Sequence, residues 1–339
     1  MHWVVAAPYF TQPLGDAWLT PFVPADKHQF QLIPAPQRTG MWHHRTSKTT
    51  DANEWKVIWR HGGDTLRAAR ARRSGIITQF PQLAAVVGLR QRGRFRRHPH
   101  VAWSFNLGQI YRGVKGRIAQ AALAKVDRFI VHSRREIQQY SDWLGIRTDR
   151  FQFVPIQRAD IPLTTAEDEQ EPFILSMGSA ARDYATFLAA VQKLNIKTVI
   201  VAAPHAIEGL TVPPNVTILS KLSADQCHEL AQKARINIVP IANDQTASGQ
   251  VTLVEAMTMG RPLIATRCMG SEDYIIHNQT GLLVEPHSVD AMASAIEQLW
   301  RDDAKRRQIG THARLYARSH FSDEAVGAEL SALLDTLQQ

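Results

Sequence analysis

Short runs of β-branched and aliphatic residues, each bounded by a turn and followed by a stretch with helical spacing, recur along most of the chain. That alternation restricts the fold more than any other feature. In the second half the runs are FILSMG (173–178), TVIVAAP (198–204), VTILS (216–220), INIVPIA (236–242), PLIAT (262–266) and GLLV (281–284). Each is apolar almost throughout instead of alternating with polar residues. This is the pattern of a strand covered on both faces, and such strands separated by helices build parallel sheets. Ser223 is placed to cap a helix running to Lys233, Ser248 one that stops at Gly260 with Pro262 beyond it, and Ser288 one reaching Trp300. The first half repeats the alternation with VVAAPY (4–9), FQLIPA (30–35), KVIWR (56–60), GIITQF (75–80), HVAWSF (100–105) and DRFIVHS (127–133). Between the halves, RADIPLTTAEDEQEP (158–172) is polar and acidic and is expected to be a linker.

The expectation is an α/β chain of two doubly wound, Rossmann-like domains, residues 1–163 and 164–320. A terminal amphipathic helix (321–339) carries Val326, Leu330, Leu333, Leu334 and Leu337 on one face. At 339 residues the chain is long enough for two such cores, and no internal repeat of solenoid or propeller length is present. Open α/β sheets bind ligands outside the carboxyl ends of their strands, so two facing sheets would create a cleft.

The net charge of +8 conceals two unlike halves. Residues 1–163 hold 25 Lys and Arg against 10 Asp and Glu, whereas residues 164–339 hold 14 against 21. The excess gathers at Arg67, Arg70, Arg72 and Arg73 and again at Arg90, Arg92, Arg94, Arg96 and Arg97. A solvated face, an anionic membrane surface and a phosphate-bearing acceptor all fit this charge. The absence of zinc spacing, of an RNA-recognition signature and of a heptad-linked basic region argues against nucleic acid. Arg67 and Arg70 are the candidate acceptor contacts, and Gly62 and Gly63 before them are candidates for approaching an acceptor phosphate. With two cysteines, Cys227 and Cys268, the chain is no disulfide scaffold. The N-terminal MHWVVAAPYF has no basic residue ahead of its short apolar run and Pro8 directly after it, so neither a signal peptide nor a membrane span is expected. A cytoplasmic protein, peripheral at the inner membrane face if it binds lipid, is the resulting expectation. His132 within a strand is expected in the core, and HPH (98–100) has no partner motif, so no metal site is expected.

Chemistry is most concentrated in SGQVTLVEAMTMGRPLIAT (248–266). A strand ends, a polar loop follows, and a helix begins whose free amides and positive dipole end form an anion site. The amides of Gly249, Gln250, Val251 and Thr252 are candidates for holding a phosphate, with Ser248 beside them and Gly249 allowing close approach. Glu255 stands in an otherwise apolar helix, where a carboxylate needs hydrogen-bond donors, and a ribose diol is one natural source. A plain cap at Ser248 and a surface Glu255 are the alternative.

This stretch, followed by DYIIHNQTGLLVEPHSVDAMASAI (273–296), resembles the donor-nucleotide half of retaining GT-B glycosyltransferases of family 4, the glycosyl transferases group 1. VDRFIVHSRREIQQYSDWLGIRTDRFQFVPIQ (126–157) is similar to that family's approach to the interdomain hinge. The resemblance covers about residues 126–320. It implies a GT-B fold and transfer of a hexose from a nucleoside-diphosphate sugar to a glycan or lipid-linked acceptor, with retention, in surface polysaccharide assembly. It also implies that no cofactor or bound metal is needed, so that protein cations and amides neutralise the leaving diphosphate. By position Arg182 matches the family's basic residue on the diphosphate, Glu255 the ribose-binding glutamate, and the loop at Lys221 the nucleobase contact.

Three positions depart from the pattern. Ala247 stands where the first glutamate of Glu-x7-Glu is expected, and Asp244, Gln245 or Gln250 are candidates to replace its contact with the transferred sugar. Ser179 replaces an arginine. Asn106 replaces a histidine, and an amide can hydrogen-bond a sugar hydroxyl without exchanging protons. No general base is assigned, because in a front-face retaining reaction the leaving phosphate oxygen takes the acceptor proton. Two other classes remain open: a GT-B sugar-nucleotide epimerase or hydrolase, and a non-catalytic GT-B protein that binds a glycan or polyanion. Gly15 in the first loop is a further candidate for approaching the donor.

Overall fold

The computed structural model describes residues 1–9, 18–36, 50–72, 74–92, 97–107, 109–242 and 247–338, which form two compact units. Gly15, Arg73, Arg94, Arg96, Asp244 and Gln245 lie outside the described residues. The first unit comprises residues 1–155 and 323–339, and the second residues 156–322.

In the first unit the strands are β1 (His2–Ala6), β2 (Gln29–Ile33), β3 (Gly75–Gln79), β4 (His100–Trp103), β5 (Arg128–Val131) and β6 (Phe151–Phe153). They form a parallel sheet in the order β2-β1-β3-β4-β5-β6. Alternate residues serve opposite faces. Trp3 and Val5 join Ile77, Val101, Trp103 and Ile130 on one side, while Val4 and Ala6 pack with Ile76, Leu66, Ala69 and Val87 on the other. The Trp3 ring lies over Gly75, where a Cβ would come within 2.2 Å of it. Its indole N–H donates to His28 Nδ1 at 3.1 Å. His28 Nδ1 is therefore an acceptor, so Nε2 carries the proton that goes to Asp335 Oδ1 at 3.0 Å.

The helices of this unit are α1 (Ala52–Arg72), α2 (Pro81–Gln91), α3 (Gly113–Leu123), α4 (Arg134–Leu144) and, from the far end of the chain, α10 (Asp323–Thr336). The strand expected at KVIWR is not formed, because residues 56–60 lie inside α1. That helix buries His61, Thr65, Leu66 and Ala69 at helical spacing. Gly62 is also inside α1, where a Cβ would meet Val86 Cγ1 at 2.6 Å, so its role is close packing of α1 on α2.

In the second unit β7 (Ile174–Met177), β8 (Thr198–Val201), β9 (Val216–Leu219), β10 (Ile236–Val239), β11 (Leu263–Thr266) and β12 (Leu282–Val284) form a parallel sheet ordered β12-β11-β10-β7-β8-β9. Helices α5 (Tyr184–Leu194) and α8 (Val289–Arg301) close one face over Ile174, Ile200, Ile236, Ile238 and Ile264. Helix α6 (Ala224–Lys233) and the end of α7 (Gln250–Thr258) close the other through Ala231, Ala234 and Met259. Helix α9 (Asp303–His320) packs against α7.

Ser223 and Ser288 cap α6 and α8 as their positions suggest, Ser223 within a reciprocal capping box with Gln226. Ser248 does not cap α7. The N-cap is Gly249 in a left-handed conformation (φ 84°), and Ser248 Oγ has no partner. The acidic stretch expected to be a free linker is tied to the second unit. Thr164 and Thr165 donate their amides to Gln232 Oε1, and Glu167 pairs with Arg235 at 3.0 Å and with the buried Arg306 at 3.2 Å. Residues 156–163, grouped with the first domain on sequence, accordingly contact the second unit. Among the described residues no helix is long and apolar enough to cross a membrane.

Candidate functional site

In the second sheet the strand order reverses between β7 and β10, and the carboxyl ends of these two neighbours are where an open α/β sheet binds its ligand. Two loops meet there. The segment after β7 is zipped to the end of β10 by an Arg182–Ile241 bridge and by the bonds Ala242 N to Ala181 O and Asp183 N to Pro240 O, both 3.0 Å. Asp183 then caps α5 by accepting from Thr186 N at 3.1 Å. The segment after β10 leads into α7, whose first intrahelical bond is Leu253 N to Gly249 O at 3.0 Å. The four amides of Gly249 to Thr252 are therefore left to an outside acceptor.

Arg182 joins the two loops. Its guanidinium donates from Nε to Met177 O at 3.2 Å, from Nη1 to Ala180 O at 2.8 Å and from Nη2 to Thr252 Oγ1 at 3.3 Å, the last on the first turn of α7. Gly178 makes room for it, since a Cβ there would lie 2.5 Å from Nη2. Burial draws the Arg182 pKa below its ordinary value, so the cation is partly desolvated beside a helix N-terminus. An anion seated between them relieves both.

Ser179, at the position where the resemblance expects a second arginine, is structural: its Oγ accepts from Ala203 N at 2.8 Å. Ala247 is 5% exposed and supplies no carboxylate. Gln250 is 3% exposed, and its Nε2, packed against Gly270, has no partner.

Glu255, one turn farther along α7, faces two basic side chains. Arg158 Nε donates to Oε1 at 3.1 Å, and His228 Nε2 lies 3.9 Å from the same oxygen. The nearby Cys227 thiol is pushed up, first by burial and then by the Glu255 charge. Sequence reasoning missed Arg158 and His228. The first stood at the start of an apparent linker, and neither spacing nor motif ties it to a glutamate 97 positions away. Lys221 is exposed in the turn between β9 and α6, with a left-handed φ of 58°.

The structure thus brings together Arg182, Thr252 and the start of α7, with Gly249, Gln250, Val251 and Glu255 on the same helix and Ser248 just before it. Asn106, Arg67 and Arg70 belong to the first unit. Asn106 is half-buried after β4, its backbone N–H donating to Ser104 O at 2.9 Å. Arg67 and Arg70 are exposed on α1, Arg67 pairing with Asp64 at 3.1 Å. His132 is a core residue bonded to Val154 O at 2.7 Å and Ser104 Oγ at 3.1 Å. His98 and His100 are similarly engaged, with Ser74 O and Thr78 Oγ1.

Residues 158–316 match the family model described as glycosyl transferases group 1. The capsular polysaccharide biosynthesis glycosyltransferase CapM of Staphylococcus aureus is 28% identical over 127 residues, 38% of this chain and 32% of that protein. A D-inositol 3-phosphate glycosyltransferase of Corynebacterium glutamicum is 34% identical over 129 residues, 38% of this chain and 30% of that protein. The matched segment spans about a third of the length of these curated relatives. Among solved structures, sucrose-phosphate synthase from Thermosynechococcus elongatus superposes with a TM-score of 0.73 at 16% identity, covering 99% of both chains. The HepE protein of Anabaena in complex with UDP superposes at 0.71 with 14% identity, covering 99% of this chain and 100% of that one. The chain therefore has the two-domain α/β GT-B fold, and the segment matching glycosyl transferases group 1 is the one that carries Arg182 and α7.

Proposed function

We propose that the protein is a glycosyltransferase that moves a hexose from a nucleoside-diphosphate sugar to a glycan or lipid-linked acceptor with retention at the anomeric carbon. The observation that carries this reading is the Arg182–Thr252 contact across the switch point of the second sheet. It sets a guanidinium beside four free amides, a cradle of donors suited to a diphosphate. The family match over residues 158–316 and the UDP in the HepE neighbour support the same assignment. In the proposed reaction the bond from the anomeric carbon to the β-phosphate oxygen breaks while that carbon bonds to the acceptor oxygen. The acceptor proton passes to the departing phosphate. Arg182 and the α7 amides stabilise the growing negative charge without a metal or other cofactor, a term that often dominates catalysis of this kind. Glu255 holds the ribose, Lys221 the region of the base, and Asn106 a sugar hydroxyl. The basic first unit, with Arg67 and Arg70, meets the acceptor at the cytoplasmic membrane face in surface polysaccharide assembly; CapM is named for capsular polysaccharide biosynthesis.

A thermal-shift screen against UDP, GDP, ADP and dTDP tests the donor site, because a ligand of the native state raises the melting temperature by mass action. One nucleotide is expected to shift it, and Glu255→Ala to abolish the shift. A flat response to all four would move the chain to a non-catalytic glycan or polyanion binder, the reading that the buried Ala247 favours. Release of free nucleotide with no acceptor present would favour an epimerase or hydrolase.

A further inference from the structure

The surroundings of Glu255 carry the reading of the donor site one step further. A carboxylate with both oxygens free can accept from both hydroxyls of a ribose. Here Oε1 is already engaged by Arg158 Nε at 3.1 Å, with His228 Nε2 at 3.9 Å from the same atom. Oε2 is left for one hydroxyl. Meanwhile Nη1 and Nη2 of Arg158 make no hydrogen bond among the described residues, so the guanidinium has donors to spare.

Both side chains can be reached by a ligand: that of Arg158 is 37% exposed and that of Glu255 21%. The backbone beneath Arg158 is fixed. Its amide donates to Phe321 O at 2.9 Å, and two residues earlier Ile156 N donates to Tyr274 Oη at 2.9 Å. The guanidinium is thus held at Glu255 by an anchored segment rather than by a swinging loop.

We propose that Arg158 is a specificity-determining residue that reads the ribose of the donor jointly with Glu255. The 3′-hydroxyl of the cis-diol donates to Glu255 Oε2, and the oxygen of the 2′-hydroxyl accepts from a terminal N–H of Arg158. The pair matches a diol with one acceptor and one donor, and a 2′-deoxyribose leaves one of the two unsatisfied. Sites built to hydrogen-bond a substrate hydroxyl discriminate strongly against an analogue that lacks it. This rests on the donor-site reading of Glu255 given above.

The test is isothermal titration of the full chain with three matched pairs: UDP and 2′-deoxy-UDP, GDP and 2′-deoxy-GDP, ADP and 2′-deoxy-ADP. For whichever base binds, the wild type is expected to prefer the ribonucleotide by about tenfold or more, the worth of a charge-assisted hydrogen bond. Arg158→Ala and Arg158→Gln should weaken the ribonucleotide about tenfold and leave the deoxynucleotide nearly unchanged, while Arg158→Lys keeps part of the preference. Arg158→Lys retains the charge beside Glu255 and carries the test if the other two variants do not fold. A wild-type ratio near one overturns the proposal. So do variants that weaken both members of a pair equally, since that is the behaviour of a purely structural ion pair. Failure of the three ribonucleotides and of dTDP alike to bind the wild type overturns the donor-site reading itself, and is distinguishable because it appears before any variant is made; binding of dTDP alone overturns the present proposal and leaves the donor site standing.

Discussion

At Arg182 one side chain both holds the local fold and stands at the proposed donor site. Its three hydrogen bonds, to Met177 O, Ala180 O and Thr252 Oγ1, tie two loops into one surface. Arg182→Ala strands these acceptors and removes a partly desolvated cation. It is expected to lower stability by about 1–3 kcal/mol and nucleoside-diphosphate affinity by about tenfold or more, measured by denaturant melts and titration. Arg182→Lys should recover some affinity but not the fork. A second residue-scale prediction concerns acid. Burial holds the His132 pKa at about 4 and that of His100 at about 3, against 6.5 for an exposed histidine. The native state refuses protons that the unfolded chain takes up below pH 6.5, so the contribution is complete above that value and is lost as pH falls toward the native pKa values. Between pH 6.5 and 4.5 each histidine should remove on the order of 2–3 kcal/mol, and a His132→Gln variant should show a flatter profile of stability against pH.

The helix that carries the site is held by contacts too close for a side chain. At Gly310 on α9, a Cβ would stand 2.3 Å from the backbone oxygen of Gly260, just beyond α7. Gly249, at φ 84°, would direct a Cβ to within 3.0 Å of Ile241 and 3.1 Å of Val239. Gly310→Ala must push α9 away from the end of α7 and should cost about 1–3 kcal/mol as overpacking. Gly249→Ala adds a left-handed alanine of about 1–2 kcal/mol and tilts the free amides, so its loss of nucleotide affinity should exceed that of Gly310→Ala. Comparing chemical denaturation with nucleotide titration for the two variants separates packing from site geometry. Elements of this kind were legible in the sequence where the local signal was strong. The six strands of the second sheet lie within the expected apolar runs, and Ser223 and Ser288 cap the helices they precede. Where the signal is short it misleads. KVIWR has the composition of a strand, yet five residues cannot separate a buried strand from a turn of helix, and the burial of His61, Thr65, Leu66 and Ala69 beyond it decides for α1. The three-residue β6 gave no usable pattern at all. That Gly249 and Glu255 share one helix was legible because they sit in one continuous motif. Arg158 was not, because its pairing exists only once the segment before β7 lies along the second sheet's own helices.

At the scale of the whole chain, the last seventeen residues belong to the first unit although the entire second unit separates them from it in sequence. Helix α10 inserts Val326, Leu330, Leu333 and Leu334, all at most 4% exposed, into the cluster of Trp3, Val5, Leu19, Ile77 and Trp103. Gly327 lets the helix approach Phe22, whose backbone oxygen would lie 2.8 Å from a Cβ. Asp335 completes the contact through Lys27 and the proton on His28 Nε2. Four fully buried aliphatic side chains at about 1.5–3 kcal/mol each amount to about 6–12 kcal/mol, comparable with the entire stability of an ordinary domain. Removal of residues 323–339 is therefore expected to leave the first unit unfolded, while the second, which contains every residue assigned to the nucleotide, keeps its own two-faced core. Limited proteolysis of the truncated chain should cut throughout residues 1–155 and spare 156–322, and the truncated chain should still bind the nucleotide that the full chain binds. Leu330→Ala makes the same point without truncation. A cavity there should cost about 2–5 kcal/mol in the first unit alone, so that heating the variant separates an early transition from the unchanged melting of the second unit.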